Sequence, residues 1–178
     1  IVPILAQFFY DQIDSGFISS GVVTIIFGVL FFLSNLDHNK KLTLPQAFLL
    51  TALSWLSIAI FGSLPFIFSD IELSLTDAFF ESMSGITTTG STIITNLNET
   101  PKAILLWRAM LQWLGGIGII VMAITLMPIM NIGGMQLFVI STSNTPEKIL
   151  PKSKEISIRL ILVYITLTMT CAVFYKIF

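Results

Sequence analysis

The stretch Gly85-Ile86-Thr87-Thr88-Thr89-Gly90-Ser91-Thr92 is the part of this chain whose residue types and spacing could do chemistry. Every residue except Ile86 is glycine, serine or threonine, and none is charged. The chemistry on offer is solvation. A metal cation crosses a bilayer only where oxygen atoms replace its water, and successive backbone carbonyls held inward can supply them. Glycine takes backbone angles that β-branched residues resist, so Gly90, and with it Gly85, suits a strained extended run. Threonine hydroxyls add oxygens or hold the run from behind. The same residue types also make ordinary external loops and close helix contacts, and composition leaves both readings open.

The surroundings decide what such a run must be. Of the 178 residues, 54% are hydrophobic and 11% charged. A soluble domain carries about 25% charged residues. Mean hydropathy is +0.91. This is an integral membrane protein, and in a membrane irregular backbone survives only when buried in protein or lining a watery cavity. The net charge of −1 says nothing about nucleic acid, but there is no basic patch to bind it, so no nucleic-acid partner is expected. Cys171, the single cysteine, can form neither an internal disulfide nor a metal site, and it reads as a small buried or lipid-facing residue. No cofactor is implied.

Long apolar stretches at 17–36, 44–68, 103–130 and 156–178 are candidate spans. At about 1.5 Å per residue each covers the roughly 30 Å hydrocarbon core. Pro65 and Pro128 fall near helix ends, and Pro45 lies in a first turn, where a missing N–H costs least. Between the second and third spans, residues 75–84 form an amphipathic run too short to cross. Ser74 or Thr76 is placed to cap it, and Asp77 lies in its first turn. Ala78, Phe79, Met83 and Ile86 supply apolar contacts, and Gly85 is expected to stop the helix. The resulting fold class is an all-α membrane protein built on a helix–pore loop–helix unit. Its half-helix dips in from one side and points the partial negative charge of its carboxyl end toward the path.

Loop charge orients the unit. Lys40 and Lys41 in loop 37–43, and Lys148, Lys152 and Lys154 in loop 131–155, share one side, with Arg159 just inside the next helix. The other side carries Asp11, Asp14, Asp70, Glu72, Asp77, Glu81 and Glu99 against Lys102, Arg108 and Lys176. Basic residues gather on the cytoplasmic side, so the acidic side is external. There it concentrates cations, more strongly at low salt.

Arg108, one turn into a span, either pairs with Glu81 or Asp77 and braces the loop, or snorkels to the headgroups. Gly115-Gly116-x-Gly118 has no strand before it, so it reads as close helix packing against the half-helix and not as a nucleotide loop. Gln112 and Gln136 are candidates to bond loop backbone. His38 reads as solvated, and Trp55, Trp107 and Trp113 as packing or interface residues. An intramembrane serine enzyme using Ser82 or Ser84 would need a base, and no histidine or buried lysine lies in a span.

Thr76-Asp77-Ala78-Phe79-Phe80-Glu81-Ser82-Met83-Ser84-Gly85-Ile86-Thr87-Thr88-Thr89-Gly90 closely resembles the first pore loop of the TrkH/TrkG/KtrB potassium-uptake superfamily. So does Leu106-Trp107-Arg108-Ala109-Met110-Leu111-Gln112-Trp113-Leu114-Gly115-Gly116-Ile117-Gly118-Ile119 in the helix after it. Gly62-Ser63-Leu64-Pro65-Phe66, Leu126-Met127-Pro128 and Gly133-Gly134-Met135-Gln136-Leu137 match in the same order. The resemblance is to the TrkH branch and runs through essentially the whole chain. It implies four helix–loop–helix repeats around one pore, each giving one filter strand.

By the same resemblance, residues 1–43 are amino-terminal accessory helices, 44–130 the first repeat, 131–155 a cytoplasmic loop and 156–178 the first helix of the second repeat. Thr87, Thr88, Thr89 and Gly90 become the filter strand, with potassium on the backbone carbonyls of Thr88 and Thr89. Glu81, Gly85 and Arg108 become its support. Potassium is then the substrate. The implied partners are lipid, a second copy in a homodimer and a cytosolic nucleotide-binding regulatory subunit. The implied location is a bacterial inner membrane, crossed several times. One filter glycine, where the channel motif TVGYG has two, implies weaker discrimination against sodium. The chain opens on Ile1 and closes inside an apolar run, so it is expected to be a piece of a transporter or the non-conducting remnant of a split gene.

Overall fold

The computed structural model describes residues 3–4, 7, 15–35, 43–71, 73–126 and 149–177. They form five long or medium helices: α1 (Ser15–Ser34), α2 (Leu44–Phe68), α3 (Leu75–Ile86), α4 (Lys102–Leu126) and α5 (Ile149–Ile177). All but α3 contain a window long and apolar enough to cross a membrane. The regular structure among the described residues is helical. The readings made for loop 37–42, His38, Asp11, Asp14, Glu72, Pro128, Gln136 and Lys148 lie outside the described residues.

Two compact units divide the chain, Ile1–Gly116 and Ile117–Phe178. In the first, α1 carries no charge, and only Gly16, Phe17 and Ser20 are buried. Side chains such as Ile25, Phe31 and Phe32 stand exposed, as a lipid-facing helix requires. Its hydroxyls bond back to the helix: Ser20 Oγ donates to Phe17 O at 3.0 Å and Thr24 Oγ1 to Ser20 O at 2.8 Å. No polar group of either side chain is left for hydrocarbon to solvate.

Helix α2 starts where Thr43 donates its amide to Gln46 Oε1 at 2.9 Å, with Pro45 in the first turn. It runs through Pro65, placed in the last turn, and stops at Ser69, whose Oγ donates to Phe66 O at 3.2 Å. Phe27 of α1 lies against Phe61 of α2, ring centroids 5.7 Å apart. The core of this unit gathers Phe17, Phe66, Ala78, Ala103, Ile104 and Leu111, with Ile4 and Trp107 against it. Trp107 meets the edge of Phe17 at 6.4 Å and donates its indole N–H to Gly62 O at 2.9 Å. That bond joins α4 to α2 and satisfies a donor that an apolar setting would otherwise strand.

In the second unit, α5 begins at Ile149, seven residues before the expected span. Pro151 falls in the first turn, where its missing N–H is not needed. The helix-favouring residues from Lys152 to Glu155 then carry it into the apolar stretch. Glu155 and Arg159 pair at 2.5 Å on its exposed surface. Thr166 and Thr170 donate back one turn, to Leu162 O at 2.9 Å and Thr166 O at 2.8 Å. Cys171 is exposed on this helix.

Candidate functional site

Helix α3 starts on a cap. Ser74 Oγ accepts from the Asp77 amide at 3.1 Å, and Asp77 sits in the first turn. Both satisfy the positive amino end of the helix. Its buried face is half polar, with Ala78 and Ile86 beside Glu81, Ser82, Ser84 and Gly85. A polar face turned inward leaves the carboxyl end of the helix to be organised by hydrogen bonds.

That end is not where the glycine signal put it. The helix passes through Gly85 to Ile86, and Thr87 is its cap. The Thr88 amide donates to Gly85 O at 2.9 Å and the Thr89 amide to Ser84 O at 3.0 Å. This paired pattern is a Schellman closure, which needs a left-handed residue just past the cap. Thr88 fills that position with φ of 59°. A β-branched residue there carries a cost of about 1–2 kcal/mol. Gly85 has another use: a Cβ on it would lie 3.0 Å from Leu111 Cβ, so its bareness lets α3 close on α4.

Past the cap the chain leaves the helix. Thr87 Oγ1 donates to Met83 O at 2.7 Å and lies 2.9 Å from Thr89 Oγ1. Gly90 adopts φ of 77°, a conformation that suits glycine. The Gln112 amide nitrogen lies 3.0 Å from where a Gly90 Cβ would be. Among the described residues, no hydrogen bond is made to the carbonyls of Thr87, Thr88, Thr89 or Gly90. The run of free carbonyls ends at Ser91, whose oxygen takes the Ser84 hydroxyl at 2.7 Å.

The residues just past the run are held by Glu81, 1% exposed. Its Oε1 accepts from Thr92 Oγ1 at 2.5 Å and the Ile93 amide at 2.6 Å. Its Oε2 accepts from Arg108 Nε at 2.7 Å. Arg108 therefore pairs with Glu81, not Asp77, and reaches inward instead of snorkelling. Two more glycines allow this closeness. A Cβ on Gly115 of α4 would fall 2.0 Å from Ile86 O, and one on Gly62 of α2 would fall 2.6 Å from Ser82 Oγ.

The structure thus pairs Glu81 with Arg108, sets Gly85 against α4 close to Arg108 O, and joins Glu81 to Thr92 and Ile93, just past Thr87, Thr88, Thr89 and Gly90. Sequence reasoning missed Thr92 as a partner of Glu81, the Ser84–Ser91 tie and the Trp107–Gly62 bond. Only the last had a signal, an indole donor in an apolar helix. Ser84, considered as a nucleophile, is committed to Ser91. Ser82 is fully buried, and its hydroxyl has no hydrogen-bond partner.

Four apolar helices of spanning length among the described residues define a multi-pass membrane protein. Residues 13–178 match the family model TrkH, described as cation transport protein. The chain belongs to that family. It is 40% identical to the Trk system potassium uptake protein TrkH of Vibrio parahaemolyticus, over 97% of this chain and 36% of that protein. It is 45% identical to the Trk system potassium uptake protein TrkI of Halomonas elongata, over 73% of this chain and 26% of the relative. The crystal structure of the potassium transporter TrkH from Vibrio parahaemolyticus superposes with a TM-score of 0.83 at 38% identity, covering 99% of this chain and 35% of that one. The chain spans about a third of the length of the curated relatives it matches.

Proposed function

We propose that this chain forms part of the pore of a Trk-type potassium uptake system, and that Thr87, Thr88, Thr89 and Gly90 are one strand of its filter. The observation that carries the reading is the set of four successive carbonyls without internal partners. They follow a half-helix whose carboxyl end faces the same place, and both features favour a cation. Potassium sits on the carbonyls of Thr88 and Thr89. Transport requires no bond to be made or broken, so the chain is read as a transporter and not an enzyme.

Residues 1–43 are accessory helices, 44–130 one repeat, 131–155 a cytoplasmic connection and 156–178 the opening of the next repeat. One strand cannot surround an ion, so conduction needs further strands like this one. The assembly sits in the bacterial inner membrane with its acidic side outward. By the family resemblance, a second copy and a cytosolic nucleotide-binding subunit complete it.

The test is potassium-limited growth of an uptake-deficient host. One arm expresses the 178 residues, and the other a chain of the relatives' length that contains them. Growth is expected from the longer chain and lost on Gly90→Val, which forces a branched side chain into φ of 77° against Gln112. Growth unaffected by Gly90→Val rejects the filter assignment.

A further inference from the structure

We propose that Glu81 is a positioning residue for ion discrimination, fixing the strand Thr92–Ile94 and through it the spacing of the carbonyls from Thr87 to Gly90. The inference rests on reading that run as a filter. It goes further by naming what holds the run to size.

Every group that reaches Glu81 is a donor. Thr92 Oγ1 and the Ile93 amide meet one oxygen at 2.5 and 2.6 Å, and Arg108 Nε meets the other at 2.7 Å. The Ile94 amide stands further off the first oxygen, at 3.4 Å. A carboxylate accepts at both oxygens, whereas glutamine would turn an N–H toward one set of donors. Charge-assisted bonds of this kind are roughly twice as strong as neutral ones. Burial of the Glu81 carboxylate, the acceptor in every one of these bonds, strengthens them further.

The geometry makes this a strut. The free carbonyls lie between two fixed points: the helix cap at Thr87, and the Ser91–Ile94 segment held by Ser84 and Glu81. With both ends held, the carbonyls cannot close around a smaller ion. Arg108 neutralises Glu81, so the strut adds no net charge beside a passing cation. Loosening it therefore admits sodium instead of abolishing passage.

The experiment measures potassium uptake, with its KM and maximal rate, and inhibition by sodium, in a chain of the relatives' length. Thr92→Val removes one donor without stranding a charge. It is expected to reach the membrane at normal levels, keep its maximal rate and lose about tenfold in potassium-over-sodium preference, the scale of one strong hydrogen bond. Glu81→Asp, one methylene shorter, is expected to lose more, while Arg108→Lys retains most of the preference. The exchange Glu81→Arg with Arg108→Glu keeps an ion pair but gives Thr92 and Ile93 no acceptor, so it is not expected to rescue. Unchanged preference in Thr92→Val, or full rescue by the exchange, overturns the strut alone. Absence of potassium uptake by the unaltered chain overturns the filter reading and the strut with it.

Discussion

Gly115→Ala isolates the packing that places the candidate filter. The added Cβ would stand 2.0 Å from Ile86 O and 2.7 Å from Ile86 C. Both are backbone atoms, so no rotamer change relieves the clash. To restore ordinary contact Ile86 O must retreat from 2.0 to 3.4 Å, about 1.4 Å, and Thr87 is the next residue. Overpacking of this sort costs about 1–3 kcal/mol. The better helix propensity of alanine returns at most about 1 kcal/mol. A 2.0 Å approach to backbone belongs at the upper end of the overpacking range, so a net loss of about 2 kcal/mol follows, together with a displaced cap. Gly21→Ala and Gly28→Ala are the controls, because a Cβ on either meets nothing within 4 Å. The assay is the thermal melting of a detergent-solubilised chain of the relatives' length that contains these residues, beside potassium uptake by cells that express it. Gly115→Ala is expected to lower both, and the controls neither. Melting and uptake unchanged in Gly115→Ala would refute the argued closeness of α4 to the end of α3.

Gly62→Ala drives a Cβ to within 2.6 Å of Ser82 Oγ, and since that atom is a side-chain hydroxyl, adding Ser82→Ala is expected to recover most of the lost melting temperature. A double variant no better than the single one contradicts this. Thr88→Asn keeps the left-handed position with a residue that tolerates it, and is expected to raise stability by about 1 kcal/mol in the same melting assay. Trp107→Phe keeps the edge contact with Phe17 but removes the donor to Gly62 O, for an expected loss of about 1 kcal/mol. A melt indistinguishable from the parent would show that water or lipid replaces that bond at no cost.

The helices were legible because their signals are long-range averages. The stretch 44–68 matches α2 end for end, and the short run from Leu75 reads as a half-helix by its length, cap and flanks. The end of α3 was not legible. Gly85 carries the usual stop signal, yet its bareness is used against Leu111, and the backbone bonds onto Ser84 and Gly85 hold Thr88 left-handed instead. Tertiary packing overrode a local preference. An intramembrane arginine announces that it has a partner, but choosing Glu81 over Asp77 depends on which face of α3 turns toward α4. The Thr92 and Ser91 contacts depend on how the chain turns after the helix, which carries no periodic pattern.

The clasp between Ser84 and Ser91 also bears on biogenesis. It makes a small closed ring out of the end of a helix and the residues just after it. Short rings form early and cheaply, because little chain must be brought together. Synthesis proceeds from the amino end. The bend after α3 can therefore be latched before α4, which follows it in the chain, packs against it.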